Sequence, residues 1–383
     1  MKTSTQRTPI NDNCATLFVA IELSRKTWLV TMHSPDRDRI SRQKLEGGDH
    51  AGLLALIERV RTRAERALGF RPTVVSCYEA GYDGFWLHRL LTAAGITNYV
   101  LDPASIAVDQ RARRAKTDRI DGEQMLGRLM AYCRGEPRAL RIVRVPSSDQ
   151  EDARRDTREE ERLSKEHTAH VNRMKALLRL LGMPVGNPRR RDWLAWLAKQ
   201  RDWQGEAVPP RILVELEREH ARLILVGEQL AKLKKAQLQA QPNPAATEMA
   251  RRRDHLMRLK ALGPAFARKL TNEVFYKDFR NRREVGGYFG LDGSPWRSGK
   301  TDHEQGISKA GNRRARHAAV ELAWLWLIHQ PKSALSLWFH ERIAKPSKRI
   351  KRVAIVALAR KLMVALWRYL TTGLIPEGAV LKV

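Results

Sequence analysis

Two aspartates stand three positions apart in KTDRID, residues 116–121, within a chain whose formal net charge is +29. Residues at i and i+3 share one face of a helix, so Asp118 and Asp121 repel each other unless a cation lies between them. Mg²⁺ prefers hard oxygen ligands and is such a cation. The spacing therefore favours a metal-binding pair of carboxylates.

Two further acids lie where strands are expected to end. Glu22 follows the apolar run FVAI, and Glu79 ends SCYE. Strand ends and an adjoining helix start converge at one edge of a sheet, so we expect Glu22, Glu79, Asp118 and Asp121 to hold Mg²⁺. Two such ions ~3.5–4 Å apart would clamp the attacking and leaving oxygens of a phosphodiester. Singly, each acid is more simply a solvated charge or, for Asp118, a helix N-cap. The joint pattern favours the metal, because a lone carboxylate in an apolar strand is costly.

The glycine-rich stretch GLDGSPWRSGKTDHEQGISKAGN contains serines that could lie close to a bound phosphate. Its glycines interrupt helix and strand, so we expect a long loop with exposed backbone N–H groups. Ser298 lies between Arg297 and Lys300, which would hold a phosphate close to its hydroxyl. The residues alone favour an ordinary turn serine at this position. Ser294 is the runner-up, but the proline after it stiffens the backbone.

Basic residues around these stretches are candidates for phosphate contacts. A solvated basic helix start is the alternative for those near residue 313, and Ser308 is expected to cap the helix that follows it. The predicted nucleic-acid contacts are Arg111, Arg113, Arg114, Lys116, Arg297, Lys300, Lys309, Asn312, Arg313, Arg314 and Arg316.

The composition points to a polyanionic partner. The chain has 71 Lys and Arg residues against 42 Asp and Glu residues. This excess of positive charge favours a nucleic-acid partner, although a merely basic or ribosome-associated protein has the same charge.

The three cysteines form no CxxC pair, which argues against disulfides or structural zinc and suits a reducing cytoplasm. No run approaches the ~20 apolar residues of a membrane span, and the N-terminus does not resemble a signal peptide.

The order of predicted elements suggests three domains. Residues 1–146 show the order β-β-β-α-β-α-β-α, which is typical of an α/β fold around a mixed sheet. Residues 147–250 hold two long charged helices with apolar seams, which favour a coiled-coil hairpin or a partner helix. Three tryptophans in the insert between these helices are expected in the core or stacked on bases. Residues 251–383 are predicted to be mostly helical, and a Gly-Pro turn there aims N–H groups at a phosphate or simply joins two helices.

Four segments carry a resemblance to a known family. VAIELSRKTW, CYEAGYDGFWLHRLL, VLDPASIAVDQRARRAKTDRIDGEQML and YFGLDGSPWRSGKTDHEQGISKAGNRRAR resemble the DEDD transposases of bacterial insertion sequences, which act as bridge-RNA-guided recombinases. The resemblance implies a RuvC-like (RNase H fold) N-terminal domain, a helical coiled-coil middle and a mostly α C-terminal transposase domain. It also implies that Ser298 forms a covalent phosphoserine link to DNA.

The resemblance further implies partners and a location. The partners are DNA (element ends and target), a structured non-coding guide RNA and further copies of the chain, as a dimer or tetramer. The protein is expected in the bacterial cytoplasm, on the nucleoid when it acts, with no membrane. One residue departs from the family pattern: the first acid is usually Asp, and here it is Glu22, one methylene longer.

Two other classes of function fit part of the sequence. A RuvC-type metal-dependent junction nuclease would use the acids and no serine, and a non-catalytic nucleic-acid-binding protein would use neither. The serine stretch and the transposase-like C-terminal part favour the recombinase over the nuclease. Four acids in converging positions argue against the non-catalytic protein. The sequence does not give the target or donor DNA specificity, because the guide RNA that the resemblance implies would carry it by base pairing.

Overall fold

The computed structural model describes residues 15–37, 39–81, 84–103, 118–239, 247–298, 301–343 and 347–382. Contacts divide the chain into two compact units, Met1–Val145 and Pro146–Val383. The two units are described separately below.

The first unit contains a five-stranded mixed sheet. Its strand order is β3-β2-β1-β4-β5, in which β1, β4 and β5 are parallel and β1, β2 and β3 are antiparallel. The strands are β1 (Thr16–Glu22), β2 (Thr27–His33), β3 (Ile40–Glu46), β4 (Thr73–Glu79) and β5 (Thr97–Leu101), and the helices are α1 (His50–Leu68), α2 (Trp86–Ala93) and α3 (Asp118–Cys133). The element order is the one that the sequence predicts.

Alternation along the strands gives the sheet two apolar faces. Leu17, Val19 and Ile21 are fully buried in a cluster with residues of α1 and α2. Ala20 in β1 and Cys77 in β4 point to the opposite face, since successive side chains of a strand alternate. There they form a second buried cluster with Met125, Leu126 and Leu129 of α3. Among the helices that the structure describes, α3 is the one that packs on this face of the sheet.

The second unit is mostly helical. Its elements are α4 (Ser148–Asp152), α5 (Arg155–Leu180), α6 (Trp193–Leu197), α7 (Pro210–Gln239), α8 (Thr247–Met257), α9 (Pro264–Glu273), α10 (Arg282–Phe289), β6 (Gly293–Ser298), β7 (Thr301–Ile307), α11 (Arg313–His329), α12 (Ala334–Arg342) and α13 (Lys348–Thr372). Its largest apolar cluster joins residues of α8 to α13, with α13 packed against α11 and α12.

Helices α5 and α7 form the predicted hairpin. Arg173 pairs with Glu215 and His170 with Glu219. Near the other end of the hairpin Lys234 lies 3.9 Å from Glu160. Partners late in α5 meet residues early in α7, so the two helices are antiparallel.

The tryptophans of the insert between α5 and α7 differ in burial. Trp193 is 1% exposed, and its indole N–H donates to the Val185 carbonyl at 2.8 Å. Trp196 packs against the same apolar cluster, whereas Trp203 is 82% exposed. Trp193 and Trp196 are therefore core residues, whereas stacking of the exposed Trp203 on bases stays a prediction.

The prediction of a long loop at the glycine-rich stretch is wrong, because β6 and β7 form an antiparallel hairpin. Their register runs from Gly293↔Ile307 to Ser298↔Thr301, with an irregularity between Gly293 and Pro295. The physical reason is that two short strands pair with each other where neither would form alone. Glycine next to a hairpin turn belongs to the hairpin and does not break it.

A mixed α/β sheet followed by a mostly helical remainder is compatible with the RNase H-like domain implied by the resemblance. The finer division into three domains, at residues 146 and 250, stays a prediction. In the part of the chain that the structure describes, no helix is long and apolar enough to span a membrane.

Candidate active site

Glu22 and Glu79 end neighbouring parallel strands. The register pairs Ile21 with Tyr78, so Glu22 and Glu79 occupy the next positions along β1 and β4. Each lies two residues after a member of the α3-facing cluster, Ala20 and Cys77. Because side chains alternate along a strand, both carboxylates are on the face that α3 covers. Glu22 is half-buried and Glu79 is exposed.

The first turn of α3 approaches the same edge of the sheet. Asp118 is the first residue of α3, and Asp121 is half-buried in the same turn. A Cβ placed on Gly122 would lie 2.6 Å from Thr31 Oγ1 and 3.8 Å from Leu29 Cδ2. Leu29 is the β-ladder partner of Glu22. The glycine thus permits close contact between the start of α3 and the strands beside Glu22.

An ion pair also connects α3 with the sheet. Glu123, two residues after Asp121, pairs with Arg42 of β3. Together, the Arg42–Glu123 ion pair and the close contact at Gly122 fix the start of α3, and therefore the position of Asp121.

The structure thus places Glu22 and Glu79 at neighbouring strand ends, and Asp121 in the first turn of the helix that packs on the same face of the sheet. The side chain of Asp118 lies outside the described residues, as do the predicted contacts at 111–116. Among the side chains that are described, no group of three or more His, Cys, Asp or Glu residues is arranged to hold a metal. The donor chemistry nonetheless fits Mg²⁺, because all the donors are carboxylate oxygens. The metal-binding role of the four acids stays a prediction.

In the second unit, Ser298 is the last residue of β6 and pairs through its backbone with Thr301. The side chains of Arg297 and Ser298, and all of Lys300, lie outside the described residues. Ser294 is half-buried and stands at the irregularity between Gly293 and Pro295. The hairpin places the two candidate serines at opposite ends of one strand.

The base of this hairpin is held by backbone hydrogen bonds between residues 288–292 and 308–312. Ser308 N–H donates to Asp292 O at 2.8 Å, and Asn312 N–H donates to Tyr288 O at 2.8 Å. Gly311 has φ +125°, and a Cβ there would lie 2.6 Å from Tyr288 O. The two segments are therefore in close backbone contact, which only glycine permits at this position. Sequence reasoning missed this role of Gly311, although the AGN triplet signals a turn.

Asn312, not Ser308, caps helix α11. Its Oδ1 accepts hydrogen bonds from the N–H groups of Arg314 and Ala315 at 3.0 and 3.1 Å, and its Nδ2 donates to Tyr288 Oη at 3.0 Å. The predicted cap at Ser308 is wrong because the helix begins four residues later, after Asn312. Asparagine is as good an N-cap as serine, so propensity alone does not choose between them.

Glu273 joins three helices beside this cap through its carboxylate and its main-chain carbonyl. The Glu273 side chain in α9 is 3% exposed, and Arg158 of α5 donates to both its oxygens, at 2.8 and 3.2 Å. Tyr288 of α10 donates its hydroxyl to the Glu273 carbonyl at 2.5 Å. Burial raises the pKa of the Glu273 carboxyl, but the hydrogen bonds and charge of Arg158 outweigh burial and lower it overall. Burial also raises the pKa of Tyr288 strongly, so its hydroxyl remains a donor.

The predicted basic contacts near α11 differ in their surroundings. Arg314 pairs with Glu161 at 3.1 Å, and Arg316 Nη1 donates to the carbonyls of Phe289 and Lys309 at 2.9 and 3.1 Å. Both arginines thus have partners within the protein. Lys309 and Arg313 are exposed to solvent. Phosphate contact by these residues stays a prediction.

Comparison with known proteins identifies the class of protein. Residues 253–338 match the family described as "Transposase IS116/IS110/IS902 family", and residues 19–183 match the family DEDD_Tnp_IS110, described as "Transposase". The first match contains the hairpin of Ser298, and the second contains the four acids.

Two relatives from Sinorhizobium fredii (strain NBRC 101917 / NGR234) extend this result. The chain is 44% identical over 393 residues to the protein named "Putative transposase y4rJ", an alignment that covers 98% of this chain and 97% of the relative. It is 27% identical over 316 residues to "Putative transposase y4qE", with 81% and 71% of the two chains covered. The chain belongs to the IS110 family of insertion-sequence transposases, whose activity implies cutting and recombining DNA.

Proposed function

We propose that the protein is an RNA-guided transposase that cuts and rejoins DNA through a covalent phosphoserine at Ser298. Mg²⁺ held by Glu22, Glu79, Asp118 and Asp121 would assist it. The observation that carries the metal site is the position of Glu22 and Glu79 on neighbouring strand ends, on the face where α3 begins. In this proposal the first unit is a RuvC-like domain with the RNase H fold, followed by a coiled-coil domain and a transposase domain.

The proposed chemistry is a transesterification. Ser298 Oγ attacks the phosphorus, the new ester bond forms as one P–O bond to the sugar breaks, and the released sugar oxygen takes up a proton. The serine proton passes to a base. Bound Mg²⁺ would supply activation of the hydroxyl and stabilisation of the phosphate charge. Because the phosphoserine ester conserves the energy of the phosphodiester, a second sugar hydroxyl reverses the step and joins the exchanged strands without an external energy source.

The hairpin supports this assignment by its construction. The bonds between residues 288–292 and 308–312, together with the Asn312 cap, fix the backbone from which β6 extends to Ser298. A nucleophile must be held close to its productive geometry, and supporting contacts of this kind serve that purpose. Phosphate contacts at Arg297, Lys300, Lys309 and Arg313 belong to the same proposal.

Guide RNA, oligomerisation and location complete the proposal. The net charge of +29 exceeds what a short duplex contact needs, and we assign the excess to a structured guide RNA. The protein would act as a dimer or tetramer on the nucleoid of the bacterial cytoplasm.

Treating the purified protein with RNase should abolish strand exchange, and adding guide RNA should restore it. Full strand exchange without RNA would contradict the RNA-guided part alone.

A RuvC-type nuclease is the second candidate. The specific observation in its favour is that Glu22, Glu79 and Asp121 all belong to the first unit, whereas Ser298 belongs to the second. In that case water, and not serine, attacks the phosphate, and free DNA ends are released.

Denaturing electrophoresis of labelled DNA after reaction separates the two candidates. The wild type should form a protein-linked strand, Ser298→Ala should form none, and Ser294→Ala, the matched control on the same strand, should retain most of it. An adduct in Ser298→Ala but not in Ser294→Ala would move the site to Ser294. DNA cleavage in Mg²⁺ without any adduct in the wild type would establish the nuclease.

A further inference from the structure

Asp292 lies at the junction between the helical core of the second unit and the hairpin that contains Ser298. Leu291 is 3% exposed and belongs to the apolar core, and β6 begins at Gly293, directly after Asp292. The main-chain carbonyl of Asp292 accepts a hydrogen bond from Ser308 N–H at 2.8 Å, at the base of the hairpin. The direction in which β6 leaves the core is therefore set at Asp292.

The side chain of Asp292 is tied to helix α13. Arg360 Nη2 lies 2.8 Å from Asp292 Oδ1. This oxygen is shielded from solvent and accepts no hydrogen bond from any group that the structure describes, so its charge depends on the guanidinium beside it. The neighbours of Arg360 on α13, Leu358, Ala359 and Leu362, are fully buried. The arginine therefore projects from a rigid support.

Helix α10 packs closely around this ion pair. A Cβ placed on Gly286 would lie 2.5 Å from Asp292 Oδ1 and 2.9 Å from Arg360 Nε. Glycine in a helix interior is unfavourable by itself. The missing side chain at Gly286 leaves the space in which the carboxylate and the guanidinium meet.

A second arginine attaches the hairpin to another helix. Arg316 of α11 donates from Nη1 to the carbonyls of Phe289 and Lys309, one before β6 and one after β7. A hairpin attached at one point can pivot about it, whereas attachments to two helices fix its direction. The six residues of β6 span about 20 Å in extended conformation, so a tilt of about 3° at Asp292 would displace Ser298 by about 1 Å. Displacements of that size slow catalysis strongly.

We propose that Asp292 and Arg360 are positioning residues for the recombination reaction. Their ion pair fixes the direction of the hairpin against α13 and so places the Ser298 hydroxyl at the phosphate, while neither residue touches DNA. Both side chains are partly exposed, at 34% and 42%, so the pair adds little to global stability and its effect is local. The inference rests on the proposed function, because it takes Ser298 as the nucleophile.

Three single variants open the ion pair in different ways. Asp292→Ala and Arg360→Gln each remove one partner, and Gly286→Ala keeps both charges but fills the space between them. Arg360→Lys keeps the positive charge. The matched control is Lys361→Gln, which removes the next cation along α13, where Nζ lies 4.6 Å from the ring centroid of Trp338.

Hydrogen–deuterium exchange with mass spectrometry measures the order of the hairpin without any reaction on DNA. The three opening variants should speed amide exchange in residues 293–298 and 301–307 by at least about tenfold, because local opening becomes easier. Exchange in the buried helices should stay unchanged, as should the midpoint of chemical denaturation. Lys361→Gln should match the wild type throughout.

The rate of adduct formation at saturating DNA provides the second readout. The opening variants should form the protein-linked strand at least about tenfold more slowly, while the dissociation constant for labelled DNA in EDTA stays within about threefold. Arg360→Lys should stay within about threefold of the wild-type rate, since it keeps a charged partner for the carboxylate. Asp292→Ala combined with Arg360→Gln should be no slower than the slower single variant, because the two residues act as one unit.

Unchanged exchange in the hairpin of all three opening variants would overturn the inference. So would rate losses that add in the double variant, or losses explained wholly by weaker DNA binding. If the wild type forms no adduct, the phosphoserine proposal fails, and the exchange measurement still decides whether the ion pair orders the hairpin.

Discussion

At the scale of single residues, Gly122 and Gly127 lie in the same helix but differ in what a side chain would meet. A Cβ on Gly122 would lie 2.6 Å from Thr31 Oγ1, whereas Gly127 has open space around it. Thr31 is fully buried in the sheet and cannot move away easily. Gly122 therefore determines how closely the start of α3 approaches the strand ends.

We predict that Gly122→Ala shifts the start of α3 and lowers the rate of DNA cleavage by at least about tenfold, since sub-ångström displacements of catalytic groups are costly. Gly127→Ala removes the same glycine flexibility from α3 and should leave the rate unchanged. Cleavage of labelled DNA in Mg²⁺ measures both variants, with circular dichroism as the check on folding. Equal activity of the two variants would show that the contact at Gly122 does not position the acids.

The carboxylate of Asp121 has a direct test at the same scale. Asp121→Asn removes one ligand charge but no basic group, so DNA affinity should stay within about threefold while Mg²⁺-dependent cleavage is lost. Cleavage assays and Mg²⁺ titration by calorimetry provide two independent readouts. Full cleavage and unchanged Mg²⁺ binding in the variant would remove Asp121 from the metal site.

At the scale of elements, the Arg158–Glu273 pair joins α5 to the helices around the serine hairpin. Glu273→Gln should destabilise the second unit by about 1–3 kcal/mol at pH 7, because a buried charged hydrogen bond is weakened. The pKa of Glu273 is lowered in the folded protein, so its contribution is present above the ordinary carboxyl pKa and is lost as the pH falls below about 4.5. The difference between wild type and variant should therefore shrink in acid.

Chemical denaturation at pH 7 and at pH 4 measures this effect. Glu215→Gln is the control, because Glu215 forms a more exposed ion pair with Arg173 and surface pairs contribute only about 0–1 kcal/mol. A Glu273→Gln variant as stable as the control at pH 7 would show that the pair does not hold these helices together.

The elements themselves were predictable where the local pattern is strong. Residues 17–21 are all apolar, which is typical of a short strand buried on both faces and predicts β1. The hairpin β6–β7 was missed because its glycines and proline indicate a loop when each strand is considered alone, whereas the two strands form by pairing with each other. Glu273 was missed for a different reason, since its partner Arg158 is 115 residues away in the sequence. Local patterns carry no information about such pairs.

At the scale of the whole molecule, the α5–α7 hairpin leaves apolar side chains uncovered. Val214 and Leu225 are 46% and 55% exposed, and eleven residues of separation place them on one stripe of α7. We predict that this stripe contributes to at least a dimer, because exposed apolar rows on charged helices usually meet a partner helix.

Val214→Glu combined with Leu225→Glu should convert the oligomer to a monomer in multi-angle light scattering. Leu374→Glu is the control, since Leu374 is 67% exposed and lies beyond α13. A wild-type protein that is monomeric with nucleic acid bound would contradict the prediction, and so would an oligomer that the double variant leaves intact.

The central claim is that Ser298 becomes covalently linked to DNA, and peptide mapping of the adduct tests it most directly. Trypsin cleaves after Arg283, Arg297 and Lys300, which places Ser294 in residues 284–297 and Ser298 in the next peptide. After nuclease trimming of the trapped adduct, fragmentation spectra locate the residual nucleotide. We predict a nucleotide on Ser298 and an unmodified 284–297 peptide. A nucleotide on Ser294, or no modified serine in a protein that cuts DNA, would contradict the account.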